Sequence, residues 1–396
     1  MKQLIDKYVN KLVAQGVCET GQPLMGCLDA ELVWNKTSED IEILEEVVAG
    51  LNINSILLSK PASPYSKIIN YLTDNIDEEA IYPQDCETRT FLHDIPVISE
   101  FNSEKIIPAL KKRKAAIIPN KGIITYGTVS PEQTFITYSS VCFACFVKFF
   151  ADYYKDAESG KINKIQNEIF NTAHTIYSNY INSFKLDTPI YKGKFNNQED
   201  VIKAMIQGGK LVVDCRLVDS FFGNISYLLD NIIYISQTTS SLDELAGCID
   251  PCPVDNSRNT ALTASSELSA HKDILLRGTD MAILHGHPKF SVIMSMICDR
   301  EKNCSTLGNC HNMCPHVRYI DDIPIVSGEV GTGKFGLCNT LPPAIIGKRG
   351  AIVYGHGLFT TGRKDFTDAF ENLLLIEKMC LDKYISDIKK FKLAKK

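Results

Sequence analysis

Met281-Ala282-Ile283-Leu284-His285-Gly286-His287-Pro288 is the stretch on which the reading of this chain turns. A short apolar run, bounded by Asp280 on one side and by Gly286 and Pro288 on the other, has the length and punctuation of a buried strand. In a strand, residues two apart point to the same face, so His285 and His287 can reach one ion. A second apolar run, Ala351-Ile352-Val353-Tyr354, ends in Gly355-His356-Gly357, with a glycine on either side of the imidazole. Three histidines at strand ends are the ligand set of an open Zn²⁺-type site, which leaves positions for water or substrate.

Upstream, Ser265-Ser266-Glu267 opens a segment with helical apolar spacing that runs to Leu276. Serine hydroxyls and backbone N–H groups at a helix N-terminus form an anion cradle suited to phosphate. Glu267 then reads in three ways: a fourth ligand, a general acid/base, or a simple N-terminal residue favoured by the helix dipole. Gln198 to Gly208 reads as a helix stopped by Gly208-Gly209, Asn231 to Ser236 as a strand, and Asp365 to Asp387 as a long amphipathic helix. Strands and helices mixed without a regular βαβ rhythm predict a layered α/β or α+β domain.

The same pattern occurs earlier in the chain. Met25-Gly26-Cys27-Leu28-Asp29 matches Ala246-Gly247-Cys248-Ile249-Asp250, Ser38-Glu39 matches Ser266-Glu267, and Ile56 to Pro61 matches Ile283 to Pro288. Asp94 to Ser99 matches Asp322 to Ser327, and Ala116 to Gly127 matches Ala351 to Gly362, all in one order. This predicts two copies of one domain. Leu58, Lys60 and Lys121 stand in the first copy where the second has His285, His287 and His356, so only the second carries the ligands. Nothing before Met25 matches the segments around Gly223 or Ser236, so the first copy is expected to begin late. The expected organisation is a metal-free domain over 1–182, a polar linker over 183–197 containing the breakers Pro189 and Gly193, and a metal-bearing domain over 198–396.

Composition narrows the class. The chain has 396 residues, a formal net charge of -5 and 22% charged residues, so nothing electrostatic points to nucleic acid or to an anionic membrane. The charged N-terminus, Met1-Lys2-Gln3-Leu4-Ile5-Asp6-Lys7, lacks the apolar run of a signal peptide, and no stretch reads as a membrane span. A cytoplasmic protein is expected, whose 14 cysteines are reduced thiols or metal ligands rather than a disulfide frame.

Taken together, the motifs of the second copy resemble the class II aldolase/adducin family, which includes fuculose-phosphate aldolases and ribulose-phosphate 4-epimerases. The resemblance runs from about Gln198 to about Tyr384, through Gly223-Asn224-Ile225-Ser226, Ser236-Gln237-Thr238-Thr239, Ser265-Ser266-Glu267 with His271, His285 to Pro288, and His356-Gly357. Thr239 replaces the glycine that the family carries in its hydroxyl-rich turn. The resemblance implies an αβα layered domain with a mainly antiparallel central sheet, and a homo-oligomer. It implies a divalent metal such as Zn²⁺ on His285, His287 and His356, and catalysis by Glu267. It also implies that Asn224, Thr238, Thr239, Ser265 and Ser266 hold a substrate phosphate. The implied reaction is retro-aldol cleavage of a small phosphorylated ketose, in which a His₃-bound dication stabilises an enediolate as a Lewis acid and Glu267 moves a proton at carbon. The family uses a tyrosine, often from a neighbouring subunit, as the second proton donor; by position Tyr319 is the candidate here. Epimerisation or dehydration of a sugar phosphate fits the same residues, and a non-catalytic adducin-like scaffold or a redox sensor is the alternative from another class.

Two features lie outside that resemblance. Cys298, Cys304, Cys310 and Cys314 crowd one segment, with Pro315 directly after the last, and suit either a structural Zn²⁺ or an iron–sulfur cluster. Gly328 to Lys334 looks like a phosphate loop but lacks its spacing, since Phe335 follows the lysine, and reads as a flexible loop. Cys142-Phe143-Ala144-Cys145 reads as helical core, and Lys389 to Lys396 as a solvated basic end.

Overall fold

The computed structural model describes the whole chain except residues 77–78, 185–189, 220, 258, 302–303, 329–330, 332 and 395–396. Pro189 of the expected linker, and Glu329, Val330 and Thr332 of the Gly328–Lys334 loop, lie outside the described residues. Contacts divide the chain into two units, Met1–Ser178 and Asn179–Lys396.

The first unit contains α1 (Lys2–Ala14), β1 (Leu24–Leu28), β2 (Leu32–Trp34), α2 (Ile41–Gly50), β3 (Ser55–Ser59), α3 (Tyr65–Asp74), β4 (Ala80–Ile81), β5 (Ile95–Pro96), α4 (Ser103–Lys112), β6 (Ala115–Ile118), β7 (Gly122–Gly127) and α5 (Pro131–Ser159). Helix α6 (Lys164–Ser183) carries the boundary. The sheet runs β2-β1-β3-β7-β6, antiparallel throughout. Helix α5 is long and apolar enough to cross a membrane, but 83% of its most apolar window is buried inside the protein. Cys142 and Cys145 sit in its fully buried face, among Phe143, Phe146 and Phe149, as core packing.

The second unit contains α7 (Gln198–Asp214), β8 (Asn224–Leu229), β9 (Ile232–Ser236), β10 (Ile249–Pro253), α8 (Leu268–Arg277), β11 (Ala282–Gly286), α9 (Lys289–Met296), β12 (Arg318–Ile320), β13 (Ile323–Val326), α10 (Leu337–Thr340), α11 (Pro342–Ile345), β14 (Gly350–Val353), β15 (Gly357–Gly362) and α12 (Phe366–Leu393). Its sheet runs β10-β9-β8-β11-β15-β14-β13-β12. Every pair is antiparallel except β13–β14, which is parallel because a crossover through α10 and α11 joins those strands. Asp230 and Asn231, both at positive φ, close the β8–β9 hairpin in the two-residue form that matches strand twist.

Alternation along β11 sorts the layers. Ile283 packs with α8, α10 and α11 residues such as Ile274, Leu337 and Ile345, whereas Leu284 points to the opposite face. There α12 lies across β15 and β11, and α7 lies against β8. The unit is therefore an αβα sandwich around a mostly antiparallel sheet.

Helix α7 does not stop at Gly208-Gly209 but continues to Asp214. The glycines serve packing instead: a Cβ on Gly209 would stand 2.4 Å from the Leu242 carbonyl oxygen. The final helix likewise runs past Asp387 to Leu393, so most of the basic end is helical.

The two units use related registers. In unit 1, Ser55 pairs with Gly127 and Ala116 with Ile124; in unit 2, Ala282 pairs with Gly362 and Ala351 with Phe359. The blocks Ile56–Pro61 and Ala116–Gly127 thus sit in the same relative register as Ile283–Pro288 and Ala351–Gly362. The block Met25–Asp29 does not follow Ala246–Asp250: it lies on β1, which pairs with β3 as β8 pairs with β11, whereas Ala246–Asp250 leads into the edge strand β10. In unit 1, α1, β1 and β2 precede β3, and in unit 2, α7, β8 and β9 precede β11.

Candidate metal centre

Strand β11 carries His285 on the face that α8 covers, and His287 follows just past the strand end. His356 sits in the turn between β14 and β15. The three imidazoles are buried, and their ligand atoms all lie within 4.8 Å of one another, a grouping that could hold a metal ion. His285 Nδ1–H donates to the Leu358 carbonyl (3.1 Å), which fixes the tautomer and leaves Nε2 with its lone pair. Phe359 stacks flat on the His285 ring at 3.8 Å and holds its plane.

Close approach of backbone makes this packing possible. A Cβ on Gly357 would lie 2.5 Å from the Gly286 oxygen and 2.6 Å from His285 Cε1. Gly223, at φ +94, passes the His285 carbonyl oxygen where a Cβ would be 2.3 Å away. The His-Gly and Gly-Asn signatures are therefore steric requirements of the site.

Burial sets the protonation. It pushes His285 down to about 3 and His287 well below the ordinary range, the neighbouring imidazoles adding to the shift of His287. Neutral imidazoles are the ligand form. His285 Nε2 and His287 Nε2 stand 3.2 Å apart. Two nitrogens at ~2.1 Å from a shared ion with tetrahedral angles are about 3.4 Å apart, so this spacing fits a cation between them. The residues present thus suit a divalent metal.

Glu267 occupies the N-cap position of α8, without a capping hydrogen bond from its side chain. Its carboxylate is buried, with Oε1 3.6 Å from His356 Nε2 and Oε2 3.8 Å from His285 Nε2. Burial raises its pKa, opposed by His356 and by a hydrogen bond from Asn224. Asn224 Nδ2 donates to Glu267 Oε2 at 2.5 Å and to Ser265 Oγ at 3.1 Å, so Asn224 orients the carboxylate. Ser265 Oγ also accepts from Glu267 N.

The remaining phosphate candidates line up beside this cap. Ser265 N donates to Ser236 O, Thr238 N donates to Thr263 O, and Gln237 bridges Ala264. Thr238, Thr239 and Ser266 are exposed there, and Ser265 is buried. Thr239 has φ 60, the conformation that a glycine adopts without strain.

Tyr319 lies apart. It is 53% exposed on the edge strand β12, opposite Pro324, and does not join the buried triad of its own chain. The four loop cysteines are half-buried free thiols.

Two residues with no motif around them complete the site. Glu377, fully buried on α12, accepts from Phe290 N, Ser291 N and Ser291 Oγ, and so caps the helix that starts directly after His287-Pro288. Ser295, in the last turn of that helix, accepts from Gly355 N. Glu377 has one visible signal in the sequence, a lone acid inside the apolar stripe of Leu373, Leu374, Cys380 and Leu381.

Residues 203–383 match the family model described as Class II Aldolase and Adducin N-terminal domain. Among solved structures, the chain is similar to L-fuculose-1-phosphate aldolase from Thermus thermophilus, at 18% identity over 46% of this chain and 93% of that one, TM-score 0.37. It is also similar to a sugar-phosphate aldolase from Thermotoga maritima (18% identity, 48% of this chain, 96% of that one, TM-score 0.36). A third is a putative aldolase/epimerase/decarboxylase from Klebsiella pneumoniae (20% identity, 46% of this chain, 87% of that one, TM-score 0.36). No curated protein matches the chain.

Proposed function

We propose, from the premise that residues 203–383 belong to the class II aldolase and adducin family, that this chain is a metal-dependent lyase cleaving a small phosphorylated ketose by retro-aldol chemistry. The observation that carries the reading is the arrangement of three buried imidazoles around the carboxylate of Glu267. His285, His287 and His356 would hold the divalent ion, with zinc the first choice for an all-imidazole set. When bound, that ion supplies Lewis-acid stabilisation of the negative charge that develops on substrate oxygens.

The chain's own residues supply the rest. Glu267 moves a proton at the reacting carbon, and Asn224 holds the carboxylate in place while Ser265 braces both. Exposed Thr238, Thr239 and Ser266, with Ser265 beneath, offer hydroxyl and N–H donors to a phosphate at the helix start. Tyr319, exposed at a sheet edge, would donate the second proton only to the site of a neighbouring subunit in a homo-oligomer.

Unit 1 is, on this reading, a diverged copy without a metal. Supporting this are its strand order and registers, and the residues that occupy the ligand positions. Lys121, at the position of His356, forms an ion pair with Asp40 at 2.5 Å, so an ammonium group occupies a position where unit 2 has a metal ligand.

The test is a panel of ketose 1-phosphates offered to the metal-loaded protein. Cleavage into a phosphorylated and an unphosphorylated carbonyl product, lost on chelation and in Glu267→Gln, is expected. Formation of a stereoisomer without net cleavage would instead identify a 4-epimerase, and loss of water a dehydratase. No turnover of any sugar phosphate by protein with one ion bound per triad would overturn the lyase reading.

A further inference from the structure

From Ile297 to Val317 the chain runs without an α-helix or a strand among the described residues. A stretch of this length without regular structure inside a compact unit is uncommon and usually has a function of its own. It holds almost no large buried apolar side chain; Leu307, Met313 and Val317 are all exposed. Hydrophobic burial therefore does not organise it, and something else must.

Its cysteines are arranged for that task. Cys298 and Cys304 each begin a turn, their carbonyls accepting from Glu301 N and Leu307 N. Thr306 gathers two sulfurs: Cys304 Sγ lies 3.3 Å from its hydroxyl, and Cys310 Sγ donates to its carbonyl at 3.9 Å. Burial raises the Cys310 thiol, and Cys314, Cys304 and Cys298 lie near enough to add to the shift, so the four share one neighbourhood. None is in a disulfide and each is half-buried. The guanidinium of Arg318 stands near Cys304 and Cys310. A fixed cation beside a group of thiols favours the loss of their protons to a metal ion.

Both ends of the loop are tied to the turn that presents His356. On entry, Ser295 accepts from Gly355 N. On exit, Arg318 donates to Ile297 O at 2.6 Å and lies over the ring of Tyr354 at 5.8 Å. The four sulfurs do not form a closed ligand cluster like that of the three imidazoles. An ion must draw them together, as is usual where metal binding and local folding are coupled.

We propose that Cys298, Cys304, Cys310 and Cys314 form a second metal site, a four-thiolate site for one tetrahedral soft dication of the zinc class, which closes this loop and braces the His356 turn. Binding releases the four thiol protons to solvent and changes no oxidation state. The site stands independently of the lyase reading, since none of its residues belongs to the imidazole triad.

Cobalt(II) substitution of the full chain separates the two sites. Imidazoles give no sulfur-to-cobalt charge transfer, whereas thiolates give an intense near-ultraviolet band. The expected result is that band in the wild type and in His285→Ala/His287→Ala, its loss in Cys310→Ser, and two ions per chain falling to one in either variant. A measurement on unaltered protein guards against misfolding: zinc should protect these four cysteines, and not Cys86 or Cys338, from alkylation mapped by mass spectrometry. Absence of the charge-transfer band in reduced wild-type protein, alkylation indifferent to zinc, or iron with visible absorbance on the four cysteines would each overturn the single-ion site.

Discussion

Ser295 Oγ accepts a hydrogen bond from Gly355 N at 2.8 Å, which ties the last turn of α9 to the turn that presents His356. The first turn of the same helix follows His287-Pro288 and is capped by Glu377. One buried helix, Lys289–Met296, thus sets the separation of two of the three imidazoles. Outer contacts of this kind typically change metal affinity by about 10–100-fold when removed. Ser295→Ala should weaken metal binding by roughly 10-fold, read by competition with a chelator, with apo stability lowered by about 1 kcal/mol. Equal loss of stability with unchanged affinity would make the contact purely structural.

Glu377→Gln tests the other end of the strut. A buried carboxylate at a helix N-terminus accepts three donors here, and an amide can accept with only one of its two terminal atoms. The substitution should cost about 2–3 kcal/mol of unit 2 stability. Denaturant unfolding checks this, and Glu377→Asp should restore little, because the shorter side chain does not reach both amides.

Glu267→Gln should leave the triad's ion in place and lower turnover by about 10²–10⁴-fold, the range for a missing acid/base group. Asn224→Ala should lower turnover less, through a misplaced carboxylate. Metal content measured beside the rate distinguishes a proton-transfer role from ligation: loss of the ion in Glu267→Gln would make Glu267 a ligand.

Buried imidazoles make apo stability depend on pH. His271 and His285 are held down to about 3 by burial, while an unfolded chain titrates near ~6.5. The folded pKa is depressed, so the neutral form belongs to the native state. Stability is full above ~6.5 and falls as the unfolded chain takes up protons below it, by about 1.4 kcal/mol per pH unit per group, until pH approaches the folded value. Urea midpoints of metal-free protein at pH 7 and pH 5 should differ accordingly. His271→Phe should flatten that slope, and an unchanged slope would show that His271 is accessible to protons in the native state.

In unit 1, Lys121→Met should destabilise by about 1 kcal/mol, a value typical of a partly exposed ion pair, without changing metal content. Leu58→His/Lys60→His/Lys121→His should add a bound ion per chain if the registers of β3 and β11 are equivalent. No gain in a folded triple variant would count against common descent of the two units.

The imidazole triad was legible in the one-dimensional string because strand period and glycine punctuation are local properties: His285, His287 and His356 needed only two short apolar runs to place them. Glu267 was legible as a helix-start acid, although its three possible roles were not separated. Other features needed the third dimension. Gly208-Gly209 read as a helix stop, since glycine is a weak helix former, but the close approach of Leu242 required it inside the helix. The matching blocks Met25–Asp29 and Ala246–Asp250 enter strands with different partners, β3 and β9, which only hydrogen-bond register reveals. Asn224 meets Glu267, and Glu377 meets Phe290 and Ser291, across many residues of intervening chain. Periodicity carries each element's type and buried face, because those follow from backbone geometry. The partners of a buried polar group depend on which elements stack together, and packing of the whole unit decides that.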